Sequence, residues 1–221
     1  SSSLLRHARI ELIPNGIDVC RYKQENRFQA RQILKLPHDK KLLLYGALSY
    51  DRDQNKGFEY LKTAVDLLRV RGWKEKAEII VFGAANQENT REFGLKIHSL
   101  GRIDDEQRLV SLYSAVDVFV YPSVQENLPN MVMEAMSCGT PCVTFNVGGI
   151  PDMIEHQLNG YLARPYDASD IADGIAWVLS DADRIRVLSN RARQKIEQEF
   201  NLESVAKRYR NLYDSLLARQ E

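Results

Sequence analysis

The chain has 221 residues, 44% of them hydrophobic and 27% charged, proportions of a globular protein able to bury roughly 70% of its unfolded surface. At ~150 residues per domain it makes one large domain or one and a fraction, which excludes short repeats and fibres. Thirty Lys and Arg balance thirty Asp and Glu, so no global field draws the molecule to nucleic acid or anionic lipid, and any anion site must be local.

In chain order, apolar runs at Leu42 to Tyr45, Ile79 to Phe82, Val118 to Tyr121 and Cys142 to Phe145 predict strands buried on both faces. Between the first two, Phe58, Leu61, Ala64, Val65 and Leu68 recur at helical spacing, as do Leu109, Leu112, Tyr113 and Val116 before the third. Strands that alternate with helices imply parallel pairing through right-handed crossovers, hence an α/β, doubly wound parallel sheet with ligands at the carboxyl ends of its strands. From Ser169 onward only helical patterns follow, so the tail is helical. Its basic run of Arg184, Arg186, Arg191, Arg193 and Lys195 is offset by Asp181, Asp183, Glu197 and Glu199 and reads as a solvated helix face.

No stretch approaches the ~18 apolar residues of a membrane span, and Ser1 to Ile10 has no signal-peptide core, so the expected location is cytoplasmic. An abrupt start without an initiator Met fits a fragment. Cys20, Cys138 and Cys142 are expected to be reduced and buried, since no Cys/His cluster of zinc-site spacing accompanies them.

The segment from Tyr121 to Pro141 leaves a strand and enters a helix. Asn127 or Asn130 is placed to cap that helix, Pro129 suits its first turn, and Gly139 and Pro141 end it. Free amides of the first turn, around Leu128 to Met131, and the helix dipole then form a local anion site at the crevice. Two carboxylates bracket it, Glu126 and Glu134. A glycosidase dyad needs carboxyl groups ~5 to 9.5 Å apart, whereas eight helical steps span ~12 Å. With Glu126 in a loop the gap shrinks, so spacing alone leaves three readings open: a dyad, two acids gripping the hydroxyls of a sugar nucleotide, or a turn residue and a helix-surface acid.

Glu126 and Glu134, with Asn127 to Asn130 between them and Glu134 to Pro141 following, resemble the Glu-x7-Glu signature of glycosyltransferase family 4, retaining enzymes of the GT-B fold. Further landmarks fall in family order: Ile13 to Asp18, Lys56 and Gly57, Gly101 to Ile103, Tyr113 to Asp117, Val147 to Ile150, Asn159 to Tyr161, and Tyr209 to Tyr213. The resemblance spans nearly the whole chain. It implies one Rossmann-like half of a GT-B fold, the carboxyl-terminal, nucleotide-sugar-binding domain, with residues 1–20 as interdomain linker and domain start, residues 21–221 as the domain, and the acceptor half absent. It further implies transfer of a sugar from a nucleotide diphosphate sugar to an acceptor glycan or lipid-linked sugar, in polysaccharide or glycolipid synthesis. Acceptor and membrane contacts belong to the missing half.

Residue by residue, the resemblance implies that Lys56 holds the diphosphate and that Glu126, with the amides of Asn127, Leu128 and Pro129, contacts donor sugar and diphosphate. Lys56 and Glu126 are therefore the expected catalytic pair. Glu134 is implied to hold ribose hydroxyls and Arg102 and Ile103 to read the base through their backbone, while Gly148 and Gly149 allow close approach to the sugar or form a plain turn. The sequence departs from the family at Ala47, where an arginine is common. Arg52 either replaces that charge or is a solvated loop residue between Asp51 and Asp53. Those acids have a literal Asp-x-Asp form but read as solvated, so no metal or other cofactor is expected. His98, without a visible Ser or Asp partner, reads as structural. Two alternatives remain: a GT-B-type epimerase or hydrolase of sugar nucleotides, and a non-catalytic nucleotide-binding module, which Ala47 favours.

Overall fold

The computed structural model describes residues 10–46, 54–83 and 94–218. Helix α1 (Arg27–Ile33) precedes strand β1 (Lys41–Gly46), and a short 3-10 turn (Gln54–Lys56) leads into α2 (Phe58–Leu68) and β2 (Ala77–Phe82). There follow β3 (Ile97–Ser99), α3 (Glu106–Ala115), β4 (Val118–Tyr121), α4 (Asn130–Ser137), β5 (Cys142–Phe145), α5 (Ile150–Met153) and β6 (Tyr161–Ala163). Helices α6 (Ala168–Leu179), α7 (Ala182–Glu199) and α8 (Leu202–Leu217) close the chain. The strands form one six-stranded sheet in the order β3, β2, β1, β4, β5, β6, with every pairing parallel.

Alternate residues of one strand feed two cores. Leu42 and Leu44 enter the cluster under α1, α3, α4 and α7, while Leu43 and Tyr45 enter the one under α2 and α6. That two-sided burial is why the strands read as unbroken apolar runs. The helical stripe of α2 is likewise buried at Leu61, Ala64, Val65 and Leu68. The four predicted strands and the helical tail are present. Strands β3 and β6, of three residues each, are too short to show a period, and α1 hides its inward face behind an arginine.

That arginine anchors the amino edge of the sheet. The buried Arg31 guanidinium pairs with Asp117 Oδ2 at 2.8 Å, and its other N–H groups reach the carbonyls of Ala115, Pro37, His38 and Lys40. Asp117 also accepts from Arg27 at 2.9 Å and from the Leu42 amide at 2.8 Å. Both charges are thus desolvated but fully bonded, the one condition under which such a pair is tolerated.

Two expectations need correction. Cys138 and Cys142 are free and buried, but Cys20 is exposed, because its amide joins a surface turn on Asp18. Arg193 is not solvated: its guanidinium donates to the carbonyls of Val19, Tyr22 and Ser137, riveting the leading segment to α4 and α7. His98, on β3 at the sheet edge, meets Glu78 Oε2 at 2.5 Å and no Ser or Asp among the described residues, and it lies two strands from the β1/β4 crevice. No described helix is long and apolar enough to cross a membrane.

Asp117→Ala should leave Arg31 buried without its counter-charge and cost about 3–5 kcal/mol. The midpoint and slope of guanidinium unfolding measure it.

Candidate functional site

Strand order reverses between β1 and β4. The connection from β1 runs outward to β2 and that from β4 runs the other way to β5, a reversal that places a crevice at the carboxyl ends of these two strands. Lys56, before α2, and Glu126, after β4, are the predicted site residues on either side of it.

Lys56 ends the 3-10 turn, and Gly57 caps α2 at φ 68°. A Cβ at residue 57 would stand 1.8 Å from the Pro122 carbonyl oxygen, so only glycine permits this approach as well as this conformation. The Val124 amide and the Ser123 hydroxyl both donate to the Asn55 carbonyl, at 2.9 and 2.7 Å. Held this way, the two loops bring Lys56 Nζ to 2.8 Å from Glu126 Oε1 and 3.1 Å from the Tyr121 hydroxyl. Tyr121 and Ser123 donate to the same Oε1 at 2.5 and 2.9 Å. Burial alone would raise the Glu126 pKa, but the hydrogen bonds from Lys56, Tyr121 and Ser123 and the ammonium charge outweigh it and hold the carboxyl below its usual 4.5.

On its other side this loop meets Gly148, at φ 55°, where a Cβ would stand 1.7 Å from the Glu126 carbonyl oxygen. The Gly149 amide donates to the Asn127 carbonyl at 2.7 Å. The two glycines therefore make a main-chain contact with the segment that carries Glu126.

Helix α4 starts at Asn130 with Pro129 as its cap and no side-chain cap bond, a correction to the expected Asn127 or Asn130 cap. Asn130 already lies within the helix, and Asn127 is engaged through its carbonyl by Gly149. The amides of Val132 and Met133 return to the Pro129 carbonyl, whereas those of Leu128, Asn130 and Met131 have no acceptor among the described residues. These N–H groups stand where a local anion site is expected from the sequence.

Glu134, one turn into α4, is held differently. Its Oε2 accepts from the buried Tyr113 hydroxyl at 2.9 Å. Burial lifts its pKa above 4.5, which the Tyr113 bond only partly offsets and Glu106 reinforces. Its side chain lines two cavities. One, of about 180 Å³, is apolar, with Phe82, Ile103, Leu109, Tyr113 and Met131; the other, of about 340 Å³, is polar.

Thus Lys56, Glu126, Asn127, Leu128, Pro129, Gly148 and Gly149 converge, and Ile103 joins Glu134 at the apolar pocket. Arg102 is exposed and paired with Asp104 at 2.6 Å. Arg52 and Ala47 lie outside the described residues. The sequence reading missed Tyr113, Tyr121 and Ser123 as site residues. For Tyr121 the available signal was a hydroxyl at the carboxyl end of a central strand.

The pattern described as Glycosyl transferases group 1 matches residues 39–181. An uncharacterised glycosyltransferase of Methanocaldococcus jannaschii is 30% identical over 217 residues, 93% of this chain and 54% of the relative. Sucrose-phosphate synthase from Thermosynechococcus elongatus superposes with a TM-score of 0.80 at 28% identity, covering 95% of this chain and 53% of that one. HepE of Anabaena, solved in complex with UDP-glucose, shares the fold at a TM-score of 0.76 and 22% identity, over 93% of this chain and 57% of that one. The chain thus spans about half the length of these proteins.

Because the Glu126 pKa is depressed in the folded state, its contribution to stability is present above 4.5 and lost as pH falls through the lowered value. Glu134 has the opposite sign: its raised pKa makes stability fall as pH rises from 4.5 through the elevated value. Urea midpoints between pH 7 and pH 3 should therefore show Glu126→Gln losing its deficit against wild type on acidification, and Glu134→Gln gaining on wild type as pH rises. Gly148→Ala should lower the melting temperature and displace the Glu126 loop, seen as changed amide shifts at residues 123–128.

Proposed function

The chain belongs to the group 1 glycosyl transferases, and on that premise we propose that residues 21–221 are the donor-binding domain of a retaining enzyme that moves a sugar from a nucleotide diphosphate sugar to an acceptor. The carrying observation is the Lys56–Glu126 pair, delivered by two loops that flank the reversal in strand order and set beside the unpaired amides of α4. Breaking the bond between an anomeric carbon and a diphosphate builds negative charge on the leaving oxygens and positive charge on the ring. The ammonium of Lys56 and the amides of Leu128, Asn130 and Met131 answer the first, and the carboxylate of Glu126, ionised at neutral pH, answers the second. Loss of one such preorganised donor costs about 2.7–4 kcal/mol in transition-state stabilisation.

In this reading Glu134 takes the ribose hydroxyls and the apolar pocket at Ile103 takes the base. The leaving phosphate assists deprotonation of the acceptor, so the chemistry calls for neither a dedicated nucleophile nor a metal. The acceptor, a glycan or lipid-linked sugar, is assigned to a second domain outside this chain, which would also supply any membrane contact. Polysaccharide or glycolipid synthesis in the cytoplasm is the setting this implies. The bonded Lys56–Glu126 pair, with Glu134 held separately by Tyr113, supports catalysis over a merely nucleotide-binding module.

Calorimetric titration of the 221-residue chain with a panel of nucleoside diphosphates should reveal binding that Glu134→Ala and Lys56→Met each weaken, with no sugar transfer by the chain alone. Robust transfer by these residues alone would overturn the two-domain assignment, and indifference to Glu134→Ala would remove its ribose role.

A further inference from the structure

The polar cavity beside Glu134 lies between the leading segment and α4, lined by Asn15, Asp18, Tyr22, Asn130, Met133 and Glu134. At about 340 Å³ it falls within the range of small-molecule sites. Tyr22 is 9% exposed, and no hydrogen bond involves its hydroxyl among the described residues, although its carbonyl is fixed by Ser137 Oγ at 2.6 Å and by Arg193 at 2.5 Å. Thr144 Oγ1 is the sole described side-chain polar atom that is fully enclosed without a partner, so the Tyr22 hydroxyl is not fully enclosed, and Tyr22 lines this cavity. The side chains of Asn15 and Asn130 also lack partners among the described residues, and Glu134 uses only Oε2.

Of the lining groups, none is a cation and two are carboxylates, which disfavours a phosphate or carboxylate ligand and suits hydroxyl groups, which donate to an acid and accept from a phenol or amide. Position narrows the ligand further. Glu134 also borders the apolar pocket, and the open amides of α4 begin one turn before it. A molecule that fills all three has a flat apolar end, a hydroxylated middle and an anionic end.

We propose that this cavity is a hydroxyl-binding subsite in which Tyr22, alongside Glu134, reads the ribose hydroxyls of a nucleoside diphosphate; the proposal rests on the donor-site reading above. Tyr22 is suited to the task because burial, with Glu134 and Glu106, pushes its pKa up to about 12, so it remains a neutral donor over the working pH range. A 2′-phosphorylated nucleotide is rejected by the two carboxylates.

The test is calorimetric titration of wild type and Tyr22→Phe with uridine, guanosine and adenosine diphosphates and with their 2′-deoxy and 3′-deoxy forms. Tyr22→Phe keeps the buried ring, and an unchanged melting temperature verifies its fold. Wild type should lose about tenfold in affinity when one ribose hydroxyl is removed. Tyr22→Phe should weaken the ribonucleotide by a comparable factor and suffer little further loss with that same deoxy form. If Tyr22→Phe binds the ribonucleotide as wild type does, or shows the full deoxy penalty, the subsite assignment is wrong. A deoxy penalty that Glu134→Ala abolishes and Tyr22→Phe leaves intact sinks the role of Tyr22 and spares the donor site, whereas equal binding of ribo and deoxy forms by wild type removes the ribose role of Glu134 as well. Failure of wild type to bind any diphosphate removes both.

Discussion

Main chain packed against main chain is the constraint on which the rest of this site depends. The segment from Pro122 to Asn127 is wedged between Gly57 on one side and Gly148 and Gly149 on the other, with separations that no Cβ could enter. Carbonyls at Asn55 and Asn127 accept hydrogen bonds across the two seams. Side-chain flexibility is therefore removed from the placement of the loop, and Glu126 inherits its position from backbone geometry. A carboxylate fixed this way needs little reorganisation when charge develops beside it, the condition under which electrostatic stabilisation is strongest.

The two acids of the signature show how one helix start can support opposite protonation behaviour. Glu126, before the helix, concentrates three donors on a single oxygen and stays ionised. Glu134, inside it, has a phenol for a partner and a more desolvated surrounding, so its charge is less favoured. The first is suited to face positive charge and the second to accept hydrogen bonds from neutral hydroxyls. Their distinct partners, not their spacing along the chain, separate the two carboxyls.

Much of this was legible beforehand, for physical reasons that can be named. Strands buried on both faces advertise themselves as apolar runs, which is why β1, β2, β4 and β5 were readable and the three-residue β3 and β6 were not. Lys56, Glu126 and Glu134 were singled out through the family resemblance, and the structure pairs the first two while holding Glu134 on Tyr113. Tyr113 and Tyr121 were not, since hydropathy registers a ring in an apolar stripe and says nothing of where its hydroxyl ends. Arg193 was misread for a related reason: a charge on a polar helix looks solvated until the carbonyls that receive it, on residues far away in sequence, are brought beside it by folding. The Asn cap failed because Pro129, which has no amide hydrogen, already supplies the start of α4.

The rivet formed by Arg193 has a mechanical consequence. By gripping the carbonyls of Val19, Tyr22 and Ser137 together, one guanidinium makes the leading segment part of the rigid body instead of a tether. Tension applied ahead of Val19 would be carried into the long shaft of α7.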